Sequence, residues 1–140
     1  MKKASSIIMS LQNIKILVID DDESTNFLTS YLFSTYYVDF KLYFELSAKA
    51  ALKNLMENKD NLPDIILLDI NMPEMNGWEF LNEYQKMGFS SLKKTAIFML
   101  SSSKLETDKL KAKSFFEVVE YIEKPLSEEK IQEIKEILQV

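Results

Sequence analysis

The sequence predicts a doubly wound α/β fold, a parallel sheet with helices on both faces, and three observations predict it. Five short, β-prone apolar runs alternate with five helix-length segments, as repeated βα units do. The third run, residues 65–68, is apolar throughout, as expected of a strand buried on both faces. Acidic residues follow the first and third runs directly, Asp20-Asp21-Asp22-Glu23 and Asp69. Ligands of open α/β sheets gather at that carboxyl edge.

The first strand is placed at residues 15–20 and its helix at about 24–35. Residues 38–44 form the second strand, and its polar Asp39 and Lys41 assign it to an edge. Ser47 caps the next helix, residues 48–57, whose Ala51, Leu52 and Leu55 make an apolar stripe. Asn61-Leu62-Pro63 ends that helix, and residues 64–68 form the third strand. Residues 71–77 make a turn with Pro73 and Gly77, and a helix over about 78–87 comes next, with Trp78 packed over the sheet face. Residues 95–100 are the fourth strand, ending in Ser101-Ser102-Ser103. A weaker helix is expected over 106–116 and the fifth strand over 118–123. Pro125 holds Lys124 extended, and Ser127 caps a last helix with Ile131, Ile134 and Leu138 on one side. Glu128 and Glu129 suit its first turn. No repeat or internal linker is visible.

Of 140 residues, 46% are hydrophobic, which fits one domain, taken as residues 13–140 behind a flexible tail over 1–12. A net charge of -5 argues against direct nucleic-acid binding. No run approaches the ~20 apolar residues of a membrane helix, so a cytoplasmic protein without membrane insertion is expected. With no cysteine there are no thiolate metal sites, and with no histidine there is no imidazole base and no phosphohistidine of the chain's own. Lys104, Lys109, Lys111 and Lys113 cluster on one segment, read as a solvated helix face.

Carboxylates crowded at one sheet edge repel unless a cation offsets them. Oxygen-only ligands favour a hard ion, and two carboxylates plus water suit Mg²⁺. The carboxyl-end residues are then Asp20, Asp21, Asp69, a serine and Lys124, a set suited to phosphoryl transfer. Asp69 attacks directly as a carboxylate and needs no base. The expected site is a phosphoryl-handling Mg²⁺ centre.

These pieces resemble the response-regulator receiver family: ILVIDDDES at the first strand, DIILLDINMPEMNGWEF at the third, MLSSS at the fourth and YIEKPL at the fifth. The resemblance covers residues 14–138 and implies a flavodoxin-like (βα)5 three-layer sandwich with sheet order 2-1-3-4-5. It implies that Asp69 is the phosphoacceptor, that Asp21 ligates Mg²⁺ (or Mn²⁺ in its place), that Asp20 holds a coordinated water, and that Asn71 offers its backbone carbonyl. It also implies that Lys124 pairs with Asp69 and then with a phosphoryl oxygen, and that Ser101 and Tyr121 form the switch. The implied donor is a sensor histidine kinase or histidine phosphotransfer protein. The chain would catalyse only its own phosphorylation and dephosphorylation, pass the signal to a downstream protein, and be open to a phosphorylation-dependent dimer.

One departure concerns residues 113–118, Lys-Ser-Phe-Phe-Glu-Val, which lack the family's Gly-Ala pair and hold an apparent extra residue. Spacing counted back from Lys124 favours Ser102 as the switch hydroxyl, whereas the strand pattern favours Ser101, the residue adopted for that role. Two competing functions are a haloacid-dehalogenase-type phosphohydrolase, with Asp20 as nucleophile and Asp22 as acid/base, and a receiver-like scaffold that works without phosphorylation.

Overall fold

In the computed structural model, residues 14–36 and 39–139 are described. The expected tail and Val38, the expected first residue of the second strand, lie outside them. Ten main elements alternate: β1 Ile14–Ile19, α1 Glu23–Tyr36, β2 Phe40–Glu45, α2 Ala48–Glu57, β3 Ile65–Leu68, α3 Gly77–Met87, β4 Ala96–Ser101, α4 Glu106–Lys113, β5 Val118–Glu123 and α5 Glu128–Leu138. All strand pairs are parallel, in the order β2-β1-β3-β4-β5.

Side chains alternate across the sheet, so the central strands β1, β3 and β4 each feed two cores. Leu17, Ile19, Ile66, Leu68, Ile97 and Met99 pack with Leu52 and Leu55 of α2, Phe80, Leu81 and Tyr84 of α3, and Ala112 of α4. Ile16, Val18, Ile65, Leu67, Phe98 and Leu100 pack with Leu32 and Phe33 of α1 and Ile131 and Ile134 of α5. Every residue of β3 is buried, as its unbroken apolar run requires. Among the described residues no helix is long and apolar enough to cross a membrane.

Helix starts obey local hydrogen-bond chemistry. The Ser47 and Ser127 side chains accept from Ala50 N–H and Lys130 N–H. Asn76 caps α3 in a reciprocal box with Glu79, a signal present in the sequence as Asn-x-x-Glu that the expected turn over 71–77 left unused.

The segment expected as a helix over 106–116 stops at Lys113. Ser114 ends it by donating its hydroxyl to the Lys111 carbonyl, and Phe115 turns inward to stack on buried Trp78, ring centroids 6.0 Å apart. The Lys111 ammonium lies 5.1 Å from the Trp78 ring centroid, and Lys109 pairs with Glu123 at 3.0 Å. At least two of the four clustered lysines are thus engaged within the chain.

The extra residue before Lys124 is absorbed in β5. Ile97 pairs with Val118 but Phe98 pairs with Glu120, leaving Val119 without a partner. This is a β-bulge, which lengthens one strand by one residue and leaves the rest of the ladder in step. Beyond it pairing resumes and places Ser101 opposite Glu123.

Candidate functional site

Parallel strands in register end together, which brings distant carboxylates to one edge. Ile19 pairs with Leu68, and Asp69 N–H donates to the Ile19 carbonyl at 3.0 Å. Asp20 N–H donates to the Glu45 carbonyl at 3.1 Å, fixing the end of β1 between its neighbours. One carboxylate oxygen from each of Asp20, Asp21 and Asp69 lies within 4.8 Å of the others. Asp20 and Asp69 are buried and Asp21 is exposed, so the cluster opens to solvent on one side.

Lys124 closes the cluster from β5. Its N–H donates to the Ser101 carbonyl at 2.8 Å, and its ammonium sits 2.8 Å from Asp20 Oδ2 and 3.3 Å from Asp69 Oδ1. Burial alone would lower the Lys124 pKa, but the Asp20 hydrogen bond and the Asp69 charge outweigh it and raise it, so the ammonium is held charged. Three carboxylates facing one ammonium remain under-neutralised. Burial first, and the Asp20 charge second, push the Asp69 carboxyl up to about 6 despite Lys124.

That shift has a sign for stability. The folded state keeps the Asp69 proton to higher pH than the unfolded chain, so Asp69 weakens the fold as pH rises from about 4 to about 6, and the loss then stays constant. A rise of this size corresponds to about 3 kcal/mol, trimmed toward about 2 kcal/mol by partial solvent access. Asp69→Asn is therefore expected to be more stable than wild type at pH 7 without divalent metal, and equal to it near pH 4, in urea titrations. Equal midpoints at pH 7 would mean that Asp69 carries no such penalty.

Ser101 is fully buried at the end of β4, its Oγ accepting from Ser103 N–H at 3.1 Å, while Ser102 is exposed. Tyr121 is half-buried on β5 and donates its hydroxyl to the Ser103 carbonyl at 2.7 Å. Asn71 lies exposed on the β3–α3 loop, two residues past Asp69. Asp22 is fully exposed and caps α1: the Thr25 hydroxyl and Ser24 N–H donate to its carboxylate and lower its pKa.

Three supporting residues escaped the sequence reading. Asn26 of α1 is buried and donates Nδ2 to the Asp20 carbonyl at 2.9 Å, bracing the Asp20-Asp21 corner. Its signal is faint, a polar residue on the inward side of α1. Ser103 links Ser101 to Tyr121, donating N–H to Ser101 and its hydroxyl to Asp108 while accepting from Tyr121. Gly77 opens α3 directly against the loop that carries Asp69, its N–H donating to the Ile70 carbonyl at 2.8 Å. A β carbon there would lie 2.6 Å from the Asp69 carbonyl oxygen.

The sequence is matched, over residues 16–136, by a family described as the response regulator receiver domain. The chain belongs to the response-regulator receiver family. The receiver is similar to a two-component response regulator from Cytophaga hutchinsonii, with 29% identity, a TM-score of 0.82, and coverage of 92% of this chain and 99% of that one. A two-component response regulator from Legionella pneumophila is 33% identical with a TM-score of 0.77, covering 91% and 98% of the two chains. Over 75 residues, 54% of the receiver, the sequence is 35% identical to the sensor histidine kinase CheAY of Helicobacter pylori. The receiver spans 9% of that relative's length. Family membership also disfavours the hydrolase alternative, and the exposed Asp22 carboxylate is engaged as a helix cap rather than poised as an acid/base.

Proposed function

We propose that this receiver, as a single domain over residues 13–140, accepts a phosphoryl group on Asp69 from a phosphohistidine of a sensor kinase or histidine phosphotransfer protein. The observation that carries the proposal is the Lys124 ammonium held between buried Asp20 and Asp69 at a carboxylate cluster open to solvent. An Asp69 oxygen attacks phosphorus, the P–N bond breaks, an acyl phosphate forms, and the imidazole nitrogen leaves and takes up a proton. Lys124 orients Asp69 and offers its ammonium to a phosphoryl oxygen.

The under-neutralised, all-oxygen donor set fits a hard divalent cation, with Mg²⁺ first and Mn²⁺ as a substitute. Asp21, Asp69 and the Asn71 carbonyl would hold it, with Asp20 acting through a water. Bound there, the ion supplies charge neutralisation at the phosphoryl oxygens. Ser101 would then bond a further phosphoryl oxygen, and its inward movement would break the Ser103 tie and release Tyr121, shifting a two-state equilibrium read by a downstream protein. A cytoplasmic setting is consistent with the phosphohistidine donor.

Incubation with Mg²⁺ and acetyl phosphate, then intact mass and peptide mapping, tests the proposal. One added phosphoryl group on Asp69 is expected, lost on chelation and absent in Asp69→Asn. Donor turnover with adduct at Asp20 would restore the hydrolase reading. Absence of any adduct at every time point would leave the scaffold reading.

A further inference from the structure

The sheet has two edges, and they differ. β5 is interrupted by the Val119 bulge, a device that discourages pairing with another strand. β2 is regular through all six pairs with β1, and among the described residues it pairs with β1 alone. Four of its six residues, Phe40, Leu42, Tyr43 and Phe44, are aromatic or aliphatic, and Tyr43 is 50% exposed. A regular edge strand with an unpaired side is a template for a further strand.

Backbone direction fixes which groups face outward. The Glu45 carbonyl accepts from Asp20 N–H, so Glu45 faces β1, and by the two-residue period so do Tyr43 and Lys41. Leu42 and Phe44 therefore turn their N–H and C=O groups away from the sheet. We infer that this edge pairs antiparallel with β2 of a second copy of the chain, about a two-fold axis at Tyr43.

The register is self-complementary. Leu42 of each copy meets Phe44 of the other as a hydrogen-bonded pair, giving four backbone hydrogen bonds across the axis. Tyr43 meets its own copy, and Lys41 meets Glu45 twice, all at non-hydrogen-bonded positions where side chains come closest. Lys41 is exposed and takes part in no ion pair among the described residues. Moving the axis to Leu42 would set Glu45 against Asp39, like charge against like. Moving it to Phe44 would leave Lys41 opposite Ser47. Beside the edge, a groove of about 340 Å³ lined by Ser30, Phe33, Phe40, Leu42 and Phe44 extends the apolar surface toward α1.

Two short strands bury less than about 1,200 Å², so a weak, reversible dimer is expected. It depends on the sheet edge rather than on Asp69, and stands or falls apart from the phosphoacceptor proposal. Sedimentation of the full chain from about 10 µM to about 1 mM is the test, spanning the range of weak interfaces. A monomer–dimer equilibrium unchanged by acetyl phosphate is expected. Lys41→Glu, which faces Glu45 with a like charge, should weaken it roughly tenfold or more. The double variant Lys41→Glu/Glu45→Lys should restore it, with circular dichroism confirming that both variants fold. A strictly monomeric wild type would overturn the inference. So would a dimer indifferent to Lys41→Glu, or one weakened by it and not rescued by the swap.

Discussion

Lys124→Ala is expected to destabilise the protein by about 3 kcal/mol at pH 7 in the absence of divalent metal, the size typical of removing one partner from a buried charge group. The ammonium is 2.8 Å from Asp20 and 3.3 Å from Asp69, both buried. Without it the two carboxylates face each other with no cation, and the folded state must bind a proton or lose stability. The loss should therefore shrink as pH falls toward 5, because protonation of Asp69, already raised to about 6, relieves the repulsion. It should also shrink with millimolar Mg²⁺, if the cluster holds the ion as proposed. Urea midpoints at pH 5 and pH 7, with and without Mg²⁺, measure both effects. Lys124→Met separates charge from stem packing: a loss confined to Lys124→Ala and flat with pH would assign the effect to stem contacts and sink the electrostatic account. In either variant Asp69 phosphorylation should slow, because the group that orients the carboxylate is gone.

The site and the sheet were legible in the sequence for a common reason. Parallel strands align their carboxyl ends, so an apolar run followed by an acid states both where a strand stops and where its charge goes. The unbroken apolar run of β3 announced its central place, and the polar alternation of β2 its edge place, for the same burial reasons seen in the structure. Harder to read were features set by neighbours in space. The bulge at Val119 arises because β5 must begin after Phe115 has turned in to stack on Trp78 and still deliver Lys124 to the carboxylates. Counting back from Lys124 points to Ser102, which is exposed, while the strand pattern points to Ser101, which is buried at the end of β4. Helix α4 ended early for the same reason: propensity continued, but packing of Phe115 required a turn. Asn26 and Ser103 had no spacing signal, since each acts through hydrogen bonds to groups that only the fold brings near.

Gly77→Ala is expected to cost about 3 kcal/mol, at the upper end of overpacking effects, and to slow Asp69 phosphorylation at least roughly tenfold. Its sequence position after Asn76 reads as a turn glycine chosen for flexibility, yet the backbone there is helical and the constraint is space. A β carbon would approach the Asp69 carbonyl oxygen to 2.6 Å and the Ile70 Cα to 3.0 Å. Both are main-chain atoms, so no rotamer change relieves the clash. Either α3 must back away, disturbing Trp78, Phe80 and Leu81 in the core, or the loop bearing Asp69 must move off the Asp20-Lys124 cluster. Gly88 supplies the contrast. It ends α3 at φ +72° with nothing within 4 Å of an added β carbon, so Gly88→Ala meets backbone strain alone and should cost about 1 kcal/mol. Phosphorylation of Asp69 should be untouched by that change. Urea midpoints and phosphoryl gain by mass, taken on both variants, separate the two roles. If Gly77→Ala matched wild type in both readouts, close approach of α3 would not be what fixes the Asp69 loop. If Gly88→Ala slowed phosphorylation as strongly as Gly77→Ala, any loosening of α3 would suffice, and contact at Asp69 would not be the cause.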